Sequence, residues 1–109
     1  MKKILIVDDE RDIRDNIKAI LADEGYLTNT AENSDETLDL IKEDNFDLII
    51  LDVWLNDSTL DGIELLKTIK KSHKEIPIVI ISGHGNIEMA VEAIKEGAQE
   101  FIEKPFSSE

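Results

Sequence analysis

The apolar runs of this chain are short and unbroken, and that constrains its fold more than any other feature. Ile4-Leu5-Ile6-Val7, Leu48-Ile49-Ile50-Leu51 and Ile76 to Ile81 are continuous stretches rich in Ile, Leu and Val, with Phe101-Ile102 a weaker fourth. A strand with one face in water alternates apolar and polar residues. An unbroken run marks a strand covered on both faces, as in a parallel sheet. Tyr26 to Thr30 is shorter and more polar, as suits an edge strand.

Helical patterns fill the intervals. Ile13, Ile17, Ile20 and Leu21 fall at helical spacing and stop before Gly25. Thr37, Leu38 and Ile41 follow a cap at Asn33 or Ser34, and Ile63, Leu66 and Ile69 share a face after Asp61-Gly62. Ile87, Ala90, Val91 and Ile94 do the same between a cap at Asn86 and a stop at Gly97. Strand-helix alternation implies an α/β fold: a parallel sheet with helices on both faces, joined by right-handed crossovers. For five strands the natural arrangement is the flavodoxin-like order 2-1-3-4-5. One domain is expected over 1–109. A fifth helix should follow the fifth strand, yet only Phe106 to Glu109 remain after Pro105. The final helix is therefore expected to be truncated and any output domain to lie outside this sequence.

Composition narrows the function. With 25 acidic against 12 basic residues the net charge is -13, so a nucleic-acid backbone would be repelled. The absence of cysteine rules out disulfides and thiolate metal sites and suits a reducing cytosol. No apolar run approaches the roughly 20 residues of a membrane span, and Asp8-Asp9-Glu10 follows the first run too soon for a signal peptide. A cytoplasmic location without membrane contact is expected.

In an open parallel sheet, ligands bind beyond the carboxyl ends of the strands, where the strand order reverses. Each apolar run delivers a polar group to that edge: Asp8-Asp9 after strand 1, Asp52 after strand 3, Ser82-Gly83 after strand 4 and Glu103-Lys104-Pro105 after strand 5. Converging carboxylates repel unless a cation or a proton relieves them. Oxygen ligands alone point to a hard ion, Mg2+, with Mn2+ or Ca2+ as substitutes. With Lys104 as a mobile cation and Ser82 as a hydroxyl donor, the set suits phosphoryl transfer onto Asp52 as nucleophile. Any one of these residues alone is better read as a helix cap, a turn former or a surface lysine. The conjunction on four strand ends reverses that. Asp12 and Asp15 read as first-turn acids, Asp57 and Asp61 as loop formers, and His73 as a solvated residue near a helix end.

Taken together, Ile-Leu-Ile-Val-Asp8-Asp9-Glu10, Leu-Ile-Ile-Leu-Asp52, Ile-Val-Ile-Ile-Ser82-Gly83 and Phe101-Ile-Glu-Lys104-Pro105-Phe106 resemble the receiver domain of bacterial two-component response regulators. Trp54-Leu55, Leu60 to Leu65 and Ser82 to Ile87 look most like the NtrX branch of the NtrC family. The resemblance covers essentially the whole chain. It implies a CheY-like fold with Asp52 as phosphoacceptor, and Asp9 as a direct and Asp8 as a water-mediated Mg2+ ligand. Asp52 and the Trp54 carbonyl would complete the protein's share. It also implies Ser82 as switch hydroxyl, Lys104 as phosphate-pairing lysine before a cis Lys104-Pro105 bond, and Phe101 as the aromatic that turns inward, a role compatible with core packing. The implied partner is a sensor histidine kinase, with acetyl phosphate as a small phosphodonor. A homodimer through helix 4 and strand 5 is implied too, and a transcriptional output controlled by the phosphorylated state.

Three departures from the family pattern stand out. Asn56 replaces a common proline and Gly62 arrives about two residues late. Trp54 is bulky, and with His84 it is expected to screen the acyl phosphate from water. The last helix is expected to be missing. Two rival classes are weaker. A haloacid dehalogenase-like phosphatase carries Asp-x-Asp after strand 1, which Asp8-Asp9-Glu10 matches poorly. A flavodoxin-like interaction module with flavin would need a Ser/Thr/Gly-rich loop there. The expected role is a stoichiometric switch rather than a turnover enzyme.

Overall fold

The computed structural model describes residues 2–53, 61–82 and 87–103. Among these, five strands alternate with four helices: β1 (Lys3–Val7), α1 (Arg11–Asp23), β2 (Leu27–Ala31), α2 (Ser34–Glu43), β3 (Leu48–Asp52), α3 (Gly62–Ser72), β4 (Ile78–Ser82), α4 (Ile87–Lys95) and β5 (Glu100–Glu103). The strands form one sheet in the order β2-β1-β3-β4-β5, and every pairing is parallel.

Period-two alternation divides each inner strand between two apolar layers. Leu5, Val7, Ile49, Leu51, Ile78 and Ile80 point into the larger layer, closed by Ile41 of α2, Leu65, Leu66 and Ile69 of α3 and Ala93 of α4. Ile4, Ile6 and Ile81 point the other way, onto Ile17 of α1. Burying a side chain of this size is worth roughly 1.5–3 kcal/mol each, so the inner strands carry most of the fold. On the α1 side, Leu48, Ile50, Val79 and Ile102 are only partly buried. β3 is therefore not covered equally on both faces, as its unbroken run had suggested.

Local chemistry sets the helix ends. The Asn33 side chain accepts from Glu36 N at 2.9 Å and caps α2, which settles the choice between Asn33 and Ser34. Asp61 and Glu64 form a reciprocal capping box at the start of α3. Asp61 is thus a helix cap rather than a general loop former. Gly25 and Gly97 end α1 and α4 with φ of +91° and +108°, a conformation that costs glycine nothing.

Some details depart from the periodic reading. β2 begins at Leu27, one residue later than expected. Ile20 of α1 is exposed although it falls at helical spacing with Ile13 and Ile17. In α4 the inward face runs through Met89 and Ala93, while Val91 and Ile94 are each 48% exposed. The described apolar residues of α4 thus form two faces, with Val91 and Ile94 on the outer one. No described helix is long and apolar enough to cross a membrane.

Candidate functional site

The register of the sheet builds the site. Val7 of β1 pairs with Leu51 of β3, so the next residue on each strand, Asp8 and Asp52, emerges on adjacent strands about 4.8 Å apart. Asp52 pairs with Ile81, which places Ser82 one residue further along β4. Asp8, Asp52 and Ser82 are 0%, 3% and 0% exposed. Buried polar side chains at the carboxyl edge of a parallel sheet are costly unless partnered, which sets them apart from solvated surface acids. Phe101 of β5 is half-buried and packs against the larger apolar layer, so its core-packing role is present.

The β1–α1 loop gathers the acids. Asp8 Oδ1 accepts from Glu10 N at 2.8 Å, a tight Asx-type turn. Asp8 N donates to Ala31 O at 3.1 Å, tying the loop to the end of β2. Carboxylate oxygens of Asp8, Asp9 and Glu10 lie within 4.8 Å of one another, with Asp8 buried, Asp9 intermediate and Glu10 exposed. An all-oxygen set of this kind fits a hard divalent cation, so the donor chemistry matches the sequence expectation. Glu10 was not among the expected ligands; its membership follows from the turn that brings it back toward Asp8.

Arg14 was also missed. It lies one helical turn into α1, where spacing alone reads it as a solvated cation. Its side chain is 15% exposed. Nη1 donates to the backbone carbonyl of Asp8 at 2.8 Å, and Nη2 lies 3.8 Å from Glu32 Oε2 on the β2–α2 loop. Asp12 sits in the first turn of α1 as expected. Asp15 is a helical turn further and faces Arg11 at 3.6 Å. His73 ends α3, its Nδ1 2.8 Å from Ser72 Oγ.

The late glycine after Asp52 has a physical reason. Gly62 N donates to Val53 O at 3.0 Å, fastening the start of α3 to the residue after β3. A Cβ on Gly62 would meet Asp52 O at 2.3 Å and Val53 Cα at 2.4 Å. The helix start therefore presses on the backbone that carries Asp52, whatever the length of the loop between. Trp54, Asn56, Asp57, Gly83, His84, Asn86, Lys104, Pro105 and Phe106 lie outside the described residues.

The sequence profile of the response regulator receiver domain matches residues 4–109. The chain belongs to the response regulator receiver family. This receiver domain is 57% identical over 106 residues to the nitrogen assimilation regulatory protein NtrX of Azorhizobium caulinodans, covering 97% of this chain and 23% of that protein. The crystal structure of the receiver domain of NtrX from Brucella abortus matches with a TM-score of 0.92 at 57% identity, covering 95% of this chain and 87% of that one. The solution structure of the beryllofluoride-activated NtrC4 receiver domain dimer matches at 0.91 and 46% identity, covering 98% and 87%. The receiver domain thus spans about a quarter of the length of the curated NtrX relatives. These matches establish a CheY-like receiver of NtrX type, a phosphorylation-dependent switch of two-component signalling. They favour neither the phosphatase reading nor the flavin-binding one.

Proposed function

We propose that this receiver domain accepts a phosphoryl group on Asp52 from a sensor histidine kinase, or from acetyl phosphate, and relays the event through α4 and β5. One observation carries the reading: buried Asp52, Asp8 and Ser82 stand at the carboxyl ends of adjacent strands, and Asp8 clusters with the carboxylates of Asp9 and Glu10. An Asp52 carboxylate oxygen attacks phosphorus in line. The new O–P bond forms as the bond to the donor's imidazole nitrogen or acetate oxygen breaks, and the leaving group takes the electron pair. Asp8, Asp9 and Asp52, with the Trp54 carbonyl, are the residues to hold Mg2+, and Mn2+ or Ca2+ would substitute. When bound, the ion supplies positive charge against the phosphoryl oxygens. Lys104 would pair with the same oxygens.

Ser82 then turns to the phosphoryl group, and Phe101 moves into the space released. That biases a two-state element at the α4 and β5 surface. The exposed Val91 and Ile94 on α4, with the dimer formed by the activated NtrC4 receiver domain, support homodimerisation through this face. The half-buried stripe of Leu48, Ile50, Val79 and Ile102 suits a fifth helix following β5. In a protein as long as the NtrX relatives, the switch would control a transcriptional output domain in the cytoplasm, without nucleic-acid or membrane contact of its own. The test is intact-mass measurement after incubation with acetyl phosphate and Mg2+. A single phosphoryl adduct in wild type, absent in Asp52→Asn, is expected. An equal adduct in Asp52→Asn, or steady ester hydrolysis without an adduct, would overturn the assignment.

A further inference from the structure

We propose that Arg14 is a positioning residue for the acidic pair, acting through the backbone of Asp8 rather than through its own charge. The inference rests on reading Asp8 and Asp9 as the metal-binding pair. The main chain of Asp8 is held from two sides: its N–H donates to Ala31 O at 3.1 Å, and its carbonyl accepts from Arg14 Nη1 at 2.8 Å. That carbonyl belongs to the peptide linking Asp8 to Asp9, so fixing it fixes where the Asp9 side chain starts. Arg14 is itself anchored. Its backbone N donates to Glu10 O at 3.1 Å in the first turn of α1, and its second guanidinium nitrogen faces Glu32. Glu32 sits on a loop fastened by its own N–H to Glu36 Oε1 at 3.1 Å. Arg14 therefore braces the β1–α1 loop against the β2–α2 loop.

Two physical effects of this arginine have opposite signs, which makes the proposal decidable. A cation beside three carboxylates repels a second cation, so removing it as a mere charge strengthens Mg2+ binding. Removing a group that orients ligands weakens binding, typically 10–100-fold for such supporting contacts. The planar fork places one nitrogen on the Asp8 carbonyl while the other faces the Glu32 carboxylate at 3.8 Å, whereas a lysine offers one point charge on a flexible stem. Lysine at this position keeps the charge and loses the brace.

The experiment is Mg2+ titration of the metal-free chain followed by the fluorescence of Trp54, its single tryptophan, with far-UV circular dichroism confirming that each variant is folded. Arg14→Met and Arg14→Lys are both expected to weaken Mg2+ about tenfold, at the low end for supporting contacts. Unchanged or tighter binding in Arg14→Met, or wild-type binding in Arg14→Lys, would overturn the brace. Should neither variant fold, the more exposed Glu32 decides. Glu32→Gln and Glu32→Ala lose the same charge, but only the first keeps a side-chain oxygen facing Nη2. The Ala variant should bind about twofold more weakly than the Gln variant, and equal affinities would overturn the proposal. Asp9→Asn separates the two levels. Wild-type affinity in Asp9→Asn defeats the metal-site reading and this inference with it. Weakened binding there, with Arg14 variants unaffected, defeats the brace alone.

Discussion

Replacing Gly62 by alanine tests how the fold supports the Asp52 strand. Gly62 is the first residue of α3, with a backbone that any residue adopts, so helix propensity alone predicts that alanine stabilises by about 0.5–1 kcal/mol. Space predicts the reverse. The added Cβ would lie 2.3 Å from Asp52 O, 2.4 Å from Val53 Cα and 2.7 Å from Val53 O, all main-chain atoms that no rotamer change moves away. Restoring ordinary contact near 3.4 Å requires the helix start and the strand end to part by roughly 1 Å. That separation breaks the 3.0 Å bond from Gly62 N to Val53 O. The lost bond costs about 1 kcal/mol and the overpacking about 1–3 kcal/mol. Set against the propensity gain, the net is a destabilisation of about 1–3.5 kcal/mol. Urea unfolding followed by circular dichroism reads this directly, and phosphoryl uptake by Asp52 should fall because its carbonyl is displaced. Gly25→Ala is the control: it has φ +91° and open space around it, so only backbone strain of about 1–2 kcal/mol applies, with phosphoryl uptake unchanged. Stability of Gly62→Ala at or above wild type would refute the steric argument.

Two smaller predictions follow from the local chemistry. Asp61→Ala removes the acceptor for Glu64 N at 2.9 Å and should cost about 1 kcal/mol in the same unfolding assay; Asp61→Asn, which keeps an acceptor, should cost less. The second concerns acid stability. The Lys3 ammonium, and secondarily the Asn45 N–H, hold the Asp44 carboxyl below its ordinary range. A carboxyl lowered in the folded state contributes stability above its unfolded value, near pH 4, and loses it as pH falls through the lower folded value. The advantage of wild type over Asp44→Asn should therefore shrink below about pH 4 and shrink with added salt at neutral pH. A gap that widens on acidification would contradict the sign.

Strand order was legible because unbroken Ile, Leu and Val runs admit few alternatives once helical patterns separate them. The buried edge residues Asp8, Asp52 and Ser82 were legible because each directly follows a run, and register then carries them together. The readings that failed share one cause: periodicity shows that a residue is apolar, not which neighbour covers it. Ile20, Val91 and Ile94 fit helical spacing, yet the inward faces of α1 and α4 run through Ile17 and through Met89 and Ala93, so these three remain exposed. Ala93 was left out of the α4 pattern, yet among the described residues of α4 it is the fully buried one. Arg14 and Gly62 were missed as supports for a related reason. Both act on main-chain atoms of the site, through a carbonyl hydrogen bond and through a close backbone approach. Side-chain identity at Asp8 and Asp52 announces chemistry in the sequence, whereas the placement of their peptide groups depends on residues whose types say nothing about it. Arg14 and Gly62 reach the site from opposite sides, one through Asp8 and one through Asp52. The geometry of the acidic edge therefore depends on the first turns of α1 and α3 as well as on the sheet beneath it.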